Sequence, residues 1–281
     1  MEFKGSACAK LILAGEHLVV HGYDGLAIPL LDKQTTITLR PNSITTFNNG
    51  ELSDSQLAEL NTELKVFCQL LNLDIDQLNG YGFEVNLIDT GIGLGASASF
   101  AVAMLKVLAN FKGETLTQNQ LLEYAGEIEK LYHGNPSGID HTTIVLEQPI
   151  LFHGSTKTFT PLQIELPEFF KTHTQLINTG KPKESTKQMV EFVTPKIQSF
   201  PKKQLDELNA ELPKLIQSLQ ENNLPEFKRI INIYGQFLES LPICTNAVKD
   251  QSSQIRTHGG AAKICGAGGL SDGSGILLTV K

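Results

Sequence analysis

The sequence has no tryptophan, only four cysteines in 281 residues, and less positive than negative charge, 23 Lys and Arg against 30 Asp and Glu. A formal net charge of -7 leaves no electrostatic basis for a nucleic-acid or anionic-membrane surface, so any phosphorylated ligand has to be held locally. Cys8, Cys68, Cys244 and Cys265 lack the paired spacing of a zinc site or a disulfide framework, which predicts reduced, buried thiols in a reducing compartment. No apolar run approaches the length of a membrane span, and the opening MEFKGS lacks a charged-then-apolar leader pattern. A cytoplasmic protein is expected. The missing tryptophan and the lack of internal repeats exclude no function. A composition of 41% hydrophobic and 19% charged residues is ordinary for a globular chain of one large core or two fused domains.

What the sequence does have is glycine at chosen places. In TGIGLGASAS (residues 90–99), Gly91, Gly93 and Gly95 allow backbone amides to approach a ligand, and the small residues 96–99 leave the next helix N-terminus uncovered. Unpaired amides and a helix dipole favour a phosphate there, and a hydroxyl at Ser97 or Ser99 could reach a metal riding on it. The competing reading is a tight strand-to-helix turn without a ligand. The spacing matches neither the P-loop nor the dinucleotide fingerprint.

The remaining pattern alternates strands and helices. Residues 6–14 read as a buried strand broken by one cation, Lys10, whose ammonium either snorkels to the surface or has a function. Residues 18–20, 26–30 and 34–39 read as further strands of a small antiparallel meander. Ser53 or Asp54 can cap a helix with Leu57, Leu60, Leu64, Phe67, Leu70 and Leu71 on one face; a strand over 82–88 and a helix over 98–111 flank the glycine loop. Thr117 with Gln120 predicts a capping box for a helix that carries Glu123, Glu127 and Glu129. The turn-rich HGNPSGID (133–140) either presents Asp140 inward or uses it to cap a short helix, with strands over 144–147 and 150–153 following. Beyond these come a strand over 174–178, helices over 203–221, 225–241 and 245–257, and strands over 261–265 and 275–280 around GAGGLSDGSG (266–275). The pattern predicts an α+β protein of two domains, 1–155 and 156–281, with a site between them.

Three stretches in this order, AKLILAGEH (9–17), the loop at 91–99 and the turn at 266–275, resemble the three motifs of the GHMP kinases, the superfamily named for galacto-, homoserine, mevalonate and phosphomevalonate kinases. AKLILAGEHLVVHG (9–22), HGNPSGID and Ser185-Thr186-Lys187 are similar to the versions in its mevalonate kinase branch. The resemblance covers most of the chain. It implies the GHMP kinase two-domain fold, with an N-terminal ATP-binding domain and the active site between the domains. It also implies magnesium-dependent transfer from ATP to the primary hydroxyl of mevalonate, giving 5-phosphomevalonate for isoprenoid synthesis. By the same resemblance Asp140 is the catalytic base with Lys10 beside it, and Ser97 and Glu129 hold Mg2+. Gly91, Gly93, Leu94, Gly95, Ala96, Ser97, Ala98 and Ser99 face the nucleotide, and Glu16, His17 and Thr186 lie near substrate. Family members are often dimers, so a homodimer is implied too.

The chemistry suits these parts. Phosphoryl transfer needs in-line positioning and charge neutralisation, an alcohol nucleophile gains from a carboxylate that accepts its proton, and magnesium takes oxygen ligands. The chain departs from the family pattern where a proline usually precedes the first glycine, where Ala96-Ser97 replaces two serines, at Asp89, whose charge lies near the proposed phosphates, and through residues 270–275. These departures keep open a GHMP kinase for phosphomevalonate or a sugar, and a nucleotide-binding protein without catalysis. Retention of Lys10, Ser97, Glu129 and Asp140 argues against the last.

Overall fold

The structure, a computed structural model, describes residues 1–88 and 93–281. Packing divides the chain into two compact units, one of residues 1–10, 29–89 and 95–147 and the other of residues 11–28, 90–94 and 148–281. The long strands β1 (Phe3–Ala14) and β2 (Asp24–Pro41) pair with each other and contribute residues to both.

In the first unit the far end of β2 lies antiparallel to β5 (Tyr81–Asn86), with Ile37 opposite Val85 and Leu39 opposite Phe83. These apolar residues alternate with more exposed neighbours, the period-two pattern of a sheet with one covered face. The short strands β3 (Thr46–Phe47) and β4 (Gly50–Glu51) extend this sheet. Helix α1 (Asp54–Leu70) starts in a capping box of Ser53 and Gln56 and buries Leu60, Leu64, Phe67 and Cys68. Helix α2 (Ala96–Lys112) is buried through residues 98–105 and 107–109 because its small side chains let α1, α3 (Gln118–His133) and α4 (Ile139–Leu146) approach it. Strand β1 also lies close: a Cβ at Gly5 would stand 2.2 Å from the Ala103 carbonyl oxygen. The central helix is thereby fixed from several sides, which holds its N-terminus in place.

In the second unit β6 (Ile150–His153) pairs antiparallel with residues 24–27 of β2 and with β7 (Thr158–Pro161). After α5 (Glu168–His173), strand β8 (Thr174–Asn178) joins β9 (Ala261–Cys265) and β10 (Ile276–Val280) in an antiparallel sheet of order β8-β10-β9. Between β8 and β9 run α6 (Thr186–Gln198), α7 (Lys202–Asn209), α8 (Leu212–Gln220), α9 (Leu224–Ser240) and α10 (Asn246–Thr257). Helices α9 and α10 pack on β9. Arg256 ties them together, donating to Glu239 at 2.9 Å, Asn232 Oδ1 at 3.1 Å and the Ala262 carbonyl at 3.0 Å.

Four local expectations are corrected. Residues 144–146 complete α4 instead of forming a strand, and Thr143 Oγ1 donates back to the Ile139 carbonyl at 2.7 Å. An apolar run this short carries no decisive period. Residues 18–20 belong to a tight helical turn in which the Leu18 and Val19 amides both donate to the Gly15 carbonyl, at 3.0 and 3.1 Å. The strands expected at 26–30 and 34–39 are one strand, β2. The helix expected over 203–221 breaks into α7 and α8 just ahead of Pro213, which has no N–H for a continuing helix.

Candidate active site

The first unit brings four of the predicted residues into one cluster. Lys10, only 2% exposed, points from β1 to α4, and its Nζ lies 2.9 Å from Asp140 Oδ1. The contact is an ion pair, not a directed hydrogen bond, since Oδ1 accepts none by geometry. Asp140, in the first turn of α4, keeps 29% of its side chain exposed. Its other side is therefore open to a reactant. Gly95, the N-cap of α2, has φ +77°, and a Cβ there would come within 2.8 Å of Lys10 Cγ and 2.9 Å of its Cε. A glycine is thus required twice, by backbone conformation and by space. Gly95→Ala is expected to cost about 1–2 kcal/mol of stability from the left-handed backbone alone. If Lys10 moves, turnover should fall about tenfold or more. Urea unfolding and steady-state turnover of the same preparation separate the two effects.

In the first turn of α2, Ser97 Oγ sits 3.1 Å from His133 Nε2 at the end of α3. One turn earlier on α3, Glu129 is 2% exposed, with its Oε2 3.7 Å from the same ring nitrogen. Burial, reinforced by the charge of Asp140, pushes the Glu129 carboxyl up to about 8, and a hydrogen bond from Ser97 and the charge of Lys10 pull it partly back. Its Oε1 is buried with no hydrogen-bond partner among the described residues. Burial also lowers His133 below the usual imidazole range, so the ring is neutral near pH 7 and its contact with Glu129 is not a salt bridge. A buried carboxyl group with one bare oxygen, beside a hydroxyl, suits an oxygen-seeking cation, whose charge would favour the ionised form. No group of three His, Cys, Asp or Glu side chains able to hold a metal occurs among the described residues.

The other nucleotide-loop residues divide by role. Gly91 lies outside the described residues. Ala96, Ser97 and Ala98 supply the first-turn amides of α2, a part of any helix that lacks intrahelical acceptors. Ser99 is fully buried and its hydroxyl donates to the Ala7 carbonyl at 3.0 Å, so the side chain ties α2 to β1 and is spoken for. Leu94 is buried. Gly93, grouped with the second unit, has φ +91° and lies against the backbone of Cys265 and Gly266, where a Cβ would approach the Cys265 carbonyl oxygen to 2.3 Å.

Within the second unit, Glu16 and His17 stand on the turn after β1. Lys263, in the middle of β9, is fully buried; its ammonium forms an ion pair with Glu16 and donates to the carbonyls of Ile12 at 3.1 Å and Ile264 at 3.0 Å. His17 takes the left-handed conformation at φ 61°, and its Nε2 is 3.1 Å from the Ala267 carbonyl. Burial pulls its pKa down to about 4, so the neutral ring donates through Nε2 and leaves Nδ1 as a buried acceptor with no partner among the described residues. The folded form takes up this proton later than the unfolded chain, so stability is complete above about pH 6.5 and is lost as pH falls towards 4. Wild type should lose about 3 kcal/mol more than His17→Gln across that range, read from urea midpoints at each pH. Thr186 is exposed in the first turn of α6. Just ahead of it Glu184 accepts from Ser271 Oγ at 2.7 Å and the Leu270 amide at 3.2 Å.

Residues 64–148 match the family model "GHMP kinases N terminal domain", a span holding Gly95, Ser97, Glu129 and Asp140. These residues are a GHMP kinase N-terminal domain. Over nearly its whole length the chain is similar to the mevalonate kinase of Methanocaldococcus jannaschii, 28% identical over 295 residues that cover 97% of this chain and 90% of that protein. The mevalonate kinase of Thermococcus gammatolerans is 27% identical over 302 residues, covering 96% and 87%. Among solved structures, L. major mevalonate kinase in complex with R-mevalonate gives a TM-score of 0.75 at 23% identity, covering 99% of this chain and 86% of that one. Lactococcus lactis galactokinase complexed with galactose gives the same TM-score at 16% identity, covering 99% and 85%. The fold is therefore the GHMP kinase fold, common to enzymes with different acceptors.

Two residues of these clusters escaped the sequence reading. Lys263 carried a usable signal, a cation in an otherwise apolar strand, the same signal that singled out Lys10. His133 opens HGNPSGID, but no spacing rule connects it to Ser97, 36 residues earlier.

Proposed function

We propose that this chain is an ATP-dependent mevalonate kinase that phosphorylates the primary hydroxyl of mevalonate. The observation that carries the reading is the Lys10–Asp140 ion pair, set against Gly95 at the N-terminus of α2. Asp140, paired with Lys10, accepts the proton of the attacking hydroxyl as its oxygen bonds to the γ-phosphorus and the bond from that phosphorus to ADP breaks. Lys10 also offsets the negative charge that gathers on the reacting oxygens. The first-turn amides of α2 bind phosphate oxygens, and Gly95 keeps the approach clear of a side chain. Glu129 and Ser97 would hold Mg2+, which the bare Glu129 oxygen fits. When bound, magnesium neutralises phosphate charge. Glu16, His17 and Thr186 are assigned to the acceptor side, where the neutral His17 Nδ1 suits a ligand hydroxyl more than an anion. The four buried, free cysteines support a reducing, cytoplasmic setting. A homodimer completes the proposal.

Mevalonate is favoured over other GHMP acceptors because the full-length sequence relatives at 26–28% identity include mevalonate kinases that span 87–90% of their own lengths. ADP release with MgATP is the test, run against mevalonate, phosphomevalonate, homoserine and galactose. Release with mevalonate alone is expected; release with galactose or phosphomevalonate instead would reassign the acceptor.

A further inference from the structure

His133 has no part in the reaction as described, yet its ring nitrogen meets both residues of the cation site. Ser97 Oγ is 3.1 Å from Nε2, and Glu129 Oε2 is 3.7 Å from the same atom. Glu129 and His133 are four residues apart on α3 and so share one helix face, while Ser97 comes from the first turn of α2. A serine hydroxyl has one proton and two lone pairs. A cation coordinated by Glu129 and Ser97 takes up a lone pair on each and leaves the Ser97 proton to be placed on an acceptor turned away from the cation. The acceptor that remains within reach is His133 Nε2.

We propose that His133 is a positioning residue for the cation site: its Nε2 accepts the Ser97 hydroxyl proton, turning a lone pair of the Ser97 oxygen towards a divalent cation shared with Glu129. The inference rests on the reading of Ser97 and Glu129 as the magnesium pair. It gives HGNPSGID two separate tasks, with His133 at one end orienting a metal ligand and Asp140 at the other facing the reacting hydroxyl. Outer groups that orient metal ligands typically set about ten- to a hundredfold in metal affinity.

The test uses Mn2+ as the probe, titrated into the full chain saturated with ADP and followed by loss of the free-ion paramagnetic resonance signal. His133→Leu keeps much of the packing but cannot accept the proton, whereas the amide oxygen of His133→Gln reaches about as far as Nε2. Mn2+ binding is expected to weaken about ten- to a hundredfold in the leucine variant and to recover to within about threefold of wild type in the glutamine variant. ADP binding without metal and the metal-free melting temperature serve as controls and should stay close to wild type in both. A leucine variant that binds Mn2+ like wild type, or a glutamine variant as weak as leucine, overturns the role of His133. Either result leaves the kinase reading intact as long as the wild-type chain phosphorylates mevalonate. A wild-type chain that fails to bind Mn2+ in the presence of ADP overturns the cation site and the inference together.

Discussion

Asp140→Asn is expected to reduce turnover about a hundred- to ten-thousand-fold, the usual worth of a positioned general base. An amide fills the same volume but cannot accept the hydroxyl proton, so the loss falls on kcat. Nucleotide binding should survive, because the α2 amides and Glu129 are untouched. The substitution also takes the countercharge from Lys10, which is 2% exposed. Since 29% of Asp140 is exposed, water softens that loss to about 1–2 kcal/mol of stability. Single-turnover kinetics with nucleotide binding measured alongside reads both effects. Turnover within a few-fold of wild type would remove Asp140 from the chemistry.

Lys263→Met should have the largest effect on stability, about 3–5 kcal/mol. The ammonium is fully buried, pairs with the buried Glu16 and donates to the carbonyls of Ile12 and Ile264. Removing it leaves a carboxylate in the interior without its cation, and that desolvation cost outweighs the modest gain from a methionine stem. A loss of this size is a large fraction of the roughly 5–15 kcal/mol that holds a domain folded. The double variant Lys263→Met with Glu16→Gln removes both charges and should recover much of the loss. Urea denaturation of the two variants and wild type completes the comparison. A single variant as stable as wild type, or a double variant no better than the single, would contradict the ion pair as a keystone of β9.

Local signals carried much of the fold. The capping box of Thr117 and Gln120 marked the start of α3, and a capping residue at Ser53 or Asp54 that of α1, because these side chains satisfy backbone groups nearby in sequence. Strands β8, β9 and β10 followed from apolar runs bounded by turns. The failures were of another kind. Residues 144–146 are apolar and two of them, Ile144 and Val145, are β-branched, yet they complete α4, a choice made by packing on α2 and α3 and not by propensity. Lys10 and Asp140 stood out as a cation and an acid in unusual surroundings, but their 2.9 Å meeting joins positions 130 residues apart (140 − 10) and was suggested by resemblance, not spacing. Ser99 shows the converse: a hydroxyl in the right motif whose proton belongs to the Ala7 carbonyl. The Lys263–Glu16 pair joins the two ends of the chain and could be read only from coordinates.

The most direct test of the central claim is phosphorus NMR of the purified chain incubated with MgATP and mevalonate. A new phosphomonoester signal coupled to the C5 methylene protons, growing in step with ADP and absent with Asp140→Asn, is the predicted result. ADP with inorganic phosphate alone, or no change in the ATP signals, would contradict phosphoryl transfer to the mevalonate hydroxyl.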